Sequence, residues 1–273
     1  MTPNTFQGVT LGGKVLGVQY LGGYLWQIKP RNSDQFISMA QQAGAREETN
    51  DGVGLFGVRL TLLEGLRIDV SNQYGVNTFN TFYAEGDYLR PLGQNWKLRL
   101  GAQFTDQRAV GDALLPAAGG QFYWTNQAGG ARAQALYKDL TLTTGFSITG
   151  AGNNVQTPWG SFPGYLSMID QDFDQARERA FLIGAAYDFG KLVSGLRADT
   201  NLVWGWNEIN PTTGKKVPNQ AEYDLTVDYR PPFRVPVLQG MWFRVRSAIV
   251  DNQDAKTLGY QFRIIINWDR DLI

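Results

Sequence analysis

The sequence predicts an all-β fold, a transmembrane antiparallel up-and-down β-barrel. Segments of about ten residues alternate apolar and polar side chains, aromatic residues sit at their ends, and the connections swing between short turns and long loops. The last segment shows the pattern most plainly. In GYQFRIIINWDRD, Tyr260, Phe262, Ile264, Ile266 and Trp268 alternate with Gln261, Arg263, Asn267 and Asp269. A strand has a side-chain period of two, so one face is greasy and the other wet.

Composition narrows the choices. The chain has 273 residues, 32 of them glycine, with no cysteine and no histidine. Aromatic residues reach 13% while apolar content is an ordinary 43%. No run approaches the ~20 apolar residues a membrane helix needs, which excludes a helical membrane protein. A mean hydropathy of −0.28 is no objection to a barrel, whose apolar residues are hidden by alternation. With 25 basic and 25 acidic residues the net charge is zero, and nothing supports a nucleic-acid partner. Absence of cysteine removes thiol nucleophiles, thiolate metal sites and disulfides. Absence of histidine removes the commonest general base and metal ligand. Catalysis could rest only on carboxylates, lysine, tyrosine or serine, and a barrel pore is expected to be no enzyme and to need no cofactor.

Taken in order, alternation marks thirteen candidate strands, near 3–10, 15–29, 54–62, 66–74, 79–90, 95–107, 130–137, 140–148, 178–189, 195–207, 220–230, 239–250 and 258–270. The best helical period, Ser38 to Arg46, suffices only for a loop helix. Turn chemistry marks LGGK at 11–14, EGL at 64–66, RPLGQN at 90–95, KD at 138–139 and FGKLVSG at 189–195. Long connections fall at 30–53, 108–129, 149–177, 208–219 and 251–257, and YRPPFRVPVLQG at 229–240 is a long turn where a short one belongs. In a membrane barrel the short turns line the periplasmic rim and the long loops the outer one.

The faces then assign themselves. Trp96, Leu98, Leu100 and Phe104, or Tyr223, Leu225, Val227 and Tyr229, are lipid-facing candidates, as are Phe181, Ile183, Tyr187, Phe189, Leu202, Trp204 and Trp206. Opposite them, toward a lumen, fall Arg67, Asp69, Lys97, Arg99, Gln103, Arg132, Gln134, Arg197, Asp199, Asn201, Glu222, Asp224 and Asp228. A charge on the lipid face costs roughly 2–4 kcal/mol near the midplane, so the consistently polar face is the interior. Parity adds a constraint, because bacterial single-chain barrels have even strand numbers. Either residues 3–10 are not a strand and twelve strands close, or strands preceding Met1 are missing, leaving two unpaired edges in lipid. MTPNTFQGVT has no basic n-region, apolar h-region or cleavage site, so no signal peptide is visible.

No phosphate loop, nucleophile elbow or metal-ligand spacing appears, and GAGNN at 150–154 reads as a loop turn. Glu222, Asp224 and Asp228 line one strand face at a spacing that suits acid–base work and, more simply, a solvated barrel wall. FRVR at 243–246 is more specific. Arg244 and Arg246 share a face about 7 Å apart, and Arg263 shares it from the next strand. Stacked lumen arginines attract anions and pass them between weak sites; the alternative is that Asp224, Asp228 or Glu222 neutralises them.

MTPNTFQGVTL with IKPRNSDQFISMAQQAG at 28–44, DFDQARERAFLIGAAYDFG at 172–190, and LQGMWFRVRSAIVDN followed by GYQFRIIINW carry a resemblance to the OprD family of substrate-specific outer-membrane porins. The resemblance implies an eighteen-stranded pore, monomeric or loosely trimeric, of which 12–13 strands are present here. It implies a pore narrowed by inward-folded loops, set in outer-membrane lipid and lipopolysaccharide, passing small anionic or zwitterionic, carboxylate-bearing solutes. The family's ladder arginines map onto Arg244, Arg246 and Arg263. Its PRNSD loop maps onto 30–53, making Arg31, Asn32 and Asp34 constriction candidates; the alternative is an external loop with no lumen role. Two departures follow: about five N-terminal family strands and the signal peptide are absent, and the chain ends DRDLI, with Ile273 where such barrels usually end in an aromatic residue. Residues 1–273 are thus expected to form one barrel domain. Competing readings are a self-contained twelve-stranded unselective pore and a soluble all-β binding protein.

Overall fold

Each strand needs a neighbour for its backbone N–H and C=O groups, and in this chain the neighbour is almost always the next strand in sequence. The structure, a computed structural model, describes residues 4–114, 123–233, 235, 238–252 and 258–269. Its elements are β1 (Thr5–Val15), β2 (Val18–Lys29), β3 (Ile37–Ser38), α1 (Met39–Gln42), β4 (Val53–Leu63), β5 (Leu66–Gly75), β6 (Phe79–Pro91), β7 (Trp96–Ala109), β8 (Thr125–Tyr137), β9 (Leu140–Thr149), β10 (Arg179–Asp188), β11 (Leu196–Trp206), β12 (Gln220–Tyr229), β13 (Met241–Asn252) and β14 (Gly259–Trp268). All the strands belong to one antiparallel sheet in sequence order, with the two-residue β3 set aside on β2. Ile273 lies outside the described residues.

The sequence-based strands reappear with one displaced turn. LGGK at 11–14 is strand, with Leu11 opposite Gly22 and Lys14 opposite Gln19. The hairpin turns instead at Leu16 and Gly17, whose φ of 49° and 85° suit a two-residue turn with positive φ at both positions. A Gly-Gly pair permits such a turn without requiring it. Residues 5–15 are therefore a strand, which removes the reading of twelve strands closing on themselves. Among the described residues β1 and β14 are the two ends of the hydrogen-bonded order and do not pair with each other. The expected loop helix shrinks to Met39–Gln42, capped by Ser38, whose hydroxyl accepts from the Gln41 N–H. The long-loop rim also carries one tight connection, 76–78.

The sheet is curled. Twelve strand-to-strand steps separate β1 from β14, roughly 58 Å in a flat sheet at ~4.8 Å per step. Yet one loop reaches both edges: Phe162 shares a cavity with Phe6 of β1, and Asp170 accepts from Gln261 Nε2 of β14 at 3.3 Å. Eight residues span at most ~28 Å, so the strands must wrap around the loop.

Two faces result. On β12, buried Glu222 and Asp224 alternate with exposed Tyr223 and Leu225. Aromatic pairs mark both ends of the outward face: Trp96 with Tyr137 at 4.6 Å near the short turns, and Phe181 with Trp204 at 4.9 Å near the long loops. Ile183 lies between these ends, 46% exposed. Ile183→Arg is expected to cost about 2–4 kcal/mol of folding free energy in a bilayer, measured by denaturant titration. Substituting arginine for lumen-facing Gln134 should cost about 1 kcal/mol or less, through its hydrogen bond to Thr143.

Candidate functional site

The long connection expected at 149–177 spans residues 150–178 and folds into the lumen. At its outer end the segment packs against the cap formed by α1: Trp159 stacks on Phe79 at 4.9 Å and donates from Nε1 to the Met39 carbonyl at 2.7 Å. Gln42 Nε2 donates to the Pro158 carbonyl at 3.1 Å. Ile28, Ala43, Val53 and Trp124 complete this apolar cluster. Deeper, Tyr165 crosses to the opposite wall, donating to Glu85 Oε1 at 3.1 Å while Arg132 covers its ring at 4.2 Å. Burial, then the Glu85 carboxylate, pushes the Tyr165 hydroxyl upward, so it stays protonated and donates.

The next residues anchor on β12. Ile169 N–H donates to Asp224 Oδ2 at 2.9 Å, and the N–H groups of Asp170 and Gln171 donate to the two oxygens of Glu222 at 2.9 and 2.7 Å. These carboxylates are therefore acceptors for loop backbone, and not a solvated wall. Leu166 and Phe173 lie on Ala180, Leu182 and Val203, an apolar patch of the inner wall. Sequence reasoning missed this docking. The signal lay in AFLIGAA at 180–186, where the inward positions are as apolar as the outward ones.

Tyr165 fits because Gly101 has no side chain. A β-carbon there would stand 2.6 Å from the Tyr165 Oη and 2.9 Å from Cζ. Gly101→Val is expected to eject the ring, weakening the segment's hold by about 2–3 kcal/mol through the lost charge-assisted hydrogen bond and cation–π contact. Faster limited proteolysis between 150 and 178 would report it.

Lumen charges divide between two walls. On β4 to β8, Arg59 and Arg67 both pair with Asp69, the latter at 2.8 Å, and Arg67 reaches Glu85 at 3.9 Å. Arg99 pairs with Asp87 at 2.8 Å, and Arg132 approaches the same carboxylate at 3.7 Å. Lys97 is exposed near the short-turn rim. On β11 to β14, Arg197 lies opposite Asp228, whose carboxylate grips Arg244 bidentately at 2.6 and 2.7 Å. Arg246 and Arg263 lie directly opposite each other across β13 and β14. Among the described residues neither forms an ion pair, and the Arg246 Nε is buried without a hydrogen-bond partner. Asp199, Thr226, Arg246 and Arg263 form one inner row across four strands. Arg31, Asn32 and Asp34 are exposed in the turn after β2, and none of the contacts to the inward segment described above involves them.

A lipid-facing aromatic and aliphatic exterior, a charged interior and a loop folded across it define an outer-membrane β-barrel pore. The chain belongs to the family described as outer membrane porin, OprD family, whose profile matches residues 1–272. It passes small solutes by passive diffusion. Similar solved structures include OccK1 (OpdK) of Pseudomonas aeruginosa, 17% identical with a TM-score of 0.83, covering 96% of this chain and 68% of that one; one OpdK structure is with vanillate. OpdL of the same organism is 19% identical with a TM-score of 0.82, covering 98% of this chain and 72% of that one. OccAB3 of Acinetobacter baumannii is 15% identical with a TM-score of 0.84, covering 97% and 68%. No curated protein matches.

Proposed function

We propose that this porin favours small carboxylate-bearing solutes, with Arg246 and Arg263 as the gripping positions and the 150–178 segment as the constriction. One observation carries the reading: two arginines stand at directly opposed positions of neighbouring strands, with no ion pair to either among the described residues. Like charges directly opposite repel, and a permeating carboxylate relieves that repulsion while accepting two planar donors. Asp199, in the same row, offers a partner to the ammonium group of a zwitterion. The vanillate in an OpdK structure is a carboxylate, which supports the same solute class.

Arg244 plays a lesser part, because Asp228 holds it. Asp228→Ala frees that charge and is expected to raise anion preference about fivefold, the equivalent of ~1 kcal/mol for one charge near 4 Å in water. Reversal potentials of the reconstituted variant check this. The solute class is tested by swelling of porin-containing liposomes in benzoate and in benzamide. Faster entry of benzoate supports the reading; equal rates refute it.

A further inference from the structure

Where the inward segment returns to the wall, two carboxylates meet with no cation between them. Glu178 immediately precedes β10 and Glu208 follows β11 by two residues; they are 1% and 0% exposed. Gly205 leaves the space they share, since a β-carbon there would touch Oε1 of both. Glu178 is fully engaged: Gln220 Nε2 donates to Oε1 at 2.9 Å and the Gln175 N–H to Oε2 at 2.8 Å. No cationic side chain reaches Glu208 among the described residues; besides Glu178, only the backbone N–H groups of Glu208 itself and of Gln220 turn toward its carboxylate, at weak geometry.

The surroundings supply no compensating charge. Arg177 and Arg179 flank Glu178 but are exposed, as are Lys215 and Lys216 on the loop after Glu208. None of the four forms an ion pair with the two glutamates among the described residues. From β11 comes Gly205, from β12 Gln220, and from β9 only the Thr149 N–H, which donates to the Glu178 carbonyl at 2.8 Å. Glu222 turns its carboxylate to the Asp170 and Gln171 N–H groups. On the segment itself, burial raises Asp172, and burial followed by Asp172 lifts Asp174 to about 7. Neither adds positive charge.

A buried charge must be paired or neutralised, and two carboxylates sharing a dry site cannot both ionise. We propose that Glu178 and Glu208 hold one proton between them, and that this protonated pair latches the base of the 150–178 segment to the loop after β11. The latch explains how Glu208 sits in a dry site with only poorly aligned backbone N–H groups beside it: the shared proton supplies its bond to Glu178. The position is mechanically apt, because the Ile209 N–H donates to the Ala176 carbonyl at 3.0 Å, tying the same two loops. On release the proton returns to water and both groups ionise.

Burial pushes Glu178 from the ordinary 4.5 up to about 8, with the Glu208 carboxylate adding to the rise, and burial also raises Glu208. Above 4.5 the latched state binds a proton that the released state gives up, so acid favours the latch. The ratio of latched to released segment falls about tenfold per pH unit up to about 8 and levels off beyond it. A pH-dependent conductance rests on the segment being the constriction; the proton site itself does not.

Two readouts separate those claims. Infrared difference spectra of the reconstituted porin between mildly acid and alkaline pH should show a protonated carboxyl band that Glu208→Gln and Glu178→Gln each remove. Bilayer recordings should show restricted states giving way to wider ones as pH rises, with the slope abolished in Glu208→Gln, whose amide donates without ionising. A carboxyl band unchanged in both variants overturns the proton site. The band lost but wild-type conductance flat with pH overturns the constriction instead. Should Glu208→Gln fail to assemble, Glu178→Gln carries the same test. A transition displaced by millimolar Ca2+ at fixed pH would show a metal ion in place of the proton and overturn the proposal.

Discussion

Replacing both Arg246 and Arg263 with alanine is expected to slow entry of a monocarboxylate relative to its neutral amide by roughly twenty-five-fold, about fivefold per arginine. The magnitude follows from Coulomb's law: a unit charge about 4 Å away in water contributes ~1 kcal/mol, and a factor of ten corresponds to ~1.4 kcal/mol. Removing Arg244 alone tests something else. It strands Asp228 and adds a negative charge to the wall, so its proper control is Arg244→Ala combined with Asp228→Ala. That neutral pair should leave selectivity close to wild type. Liposome swelling with benzoate and benzamide distinguishes the two double variants directly.

The second large effect concerns the inward segment. Glu222→Ala with Asp224→Ala removes the acceptors of three loop N–H groups, at 2.9, 2.9 and 2.7 Å. The two bonds to Glu222 contribute about 1.5–3 kcal/mol each and the one to Asp224 about 1 kcal/mol, so the loss is about 5 kcal/mol. That is close to the ~5.5 kcal/mol that moves a two-state equilibrium from 99:1 to 1:99. Leu166 and Phe173 would keep some affinity for their apolar patch, but Tyr165 would lose its neighbouring anchor. Single-channel conductance should rise, with strand content by circular dichroism unchanged. Unchanged conductance would mean that the segment does not restrict flow.

Much of the fold was legible because lipid enforces it. A lipid-facing strand tolerates few exceptions to apolar alternation, so Tyr223, Leu225, Val227 and Tyr229 announce β12 without any neighbour in view. The LGGK turn was misplaced for a local reason: glycine pairs allow turns, whereas the register with Gln19 to Gly22 is decided by the whole hairpin. Inward folding of 150–178 left a fainter trace. Its anchors join residues 51 to 55 positions apart through backbone N–H groups, which every residue type but proline offers. Only the carboxylates and the apolar Leu182 and Val203 differ from an ordinary wetted wall, and a strand-by-strand reading takes each as unremarkable.

The arginines show the same division. Their common face was plain from FRVR and from Arg263 in the last strand. Which of them stands unpaired depends on register, because Asp228 falls opposite Arg244 and not opposite Arg246. A shift of two residues would have neutralised a different arginine.

The most direct test is the reversal potential of the reconstituted porin across a KCl gradient, for wild type and for Arg246→Ala with Arg263→Ala. An anion-selective potential in wild type that collapses in the double variant is the expected result. A cation-selective potential, or one that the two substitutions leave unmoved, would contradict a solute path built on that arginine pair.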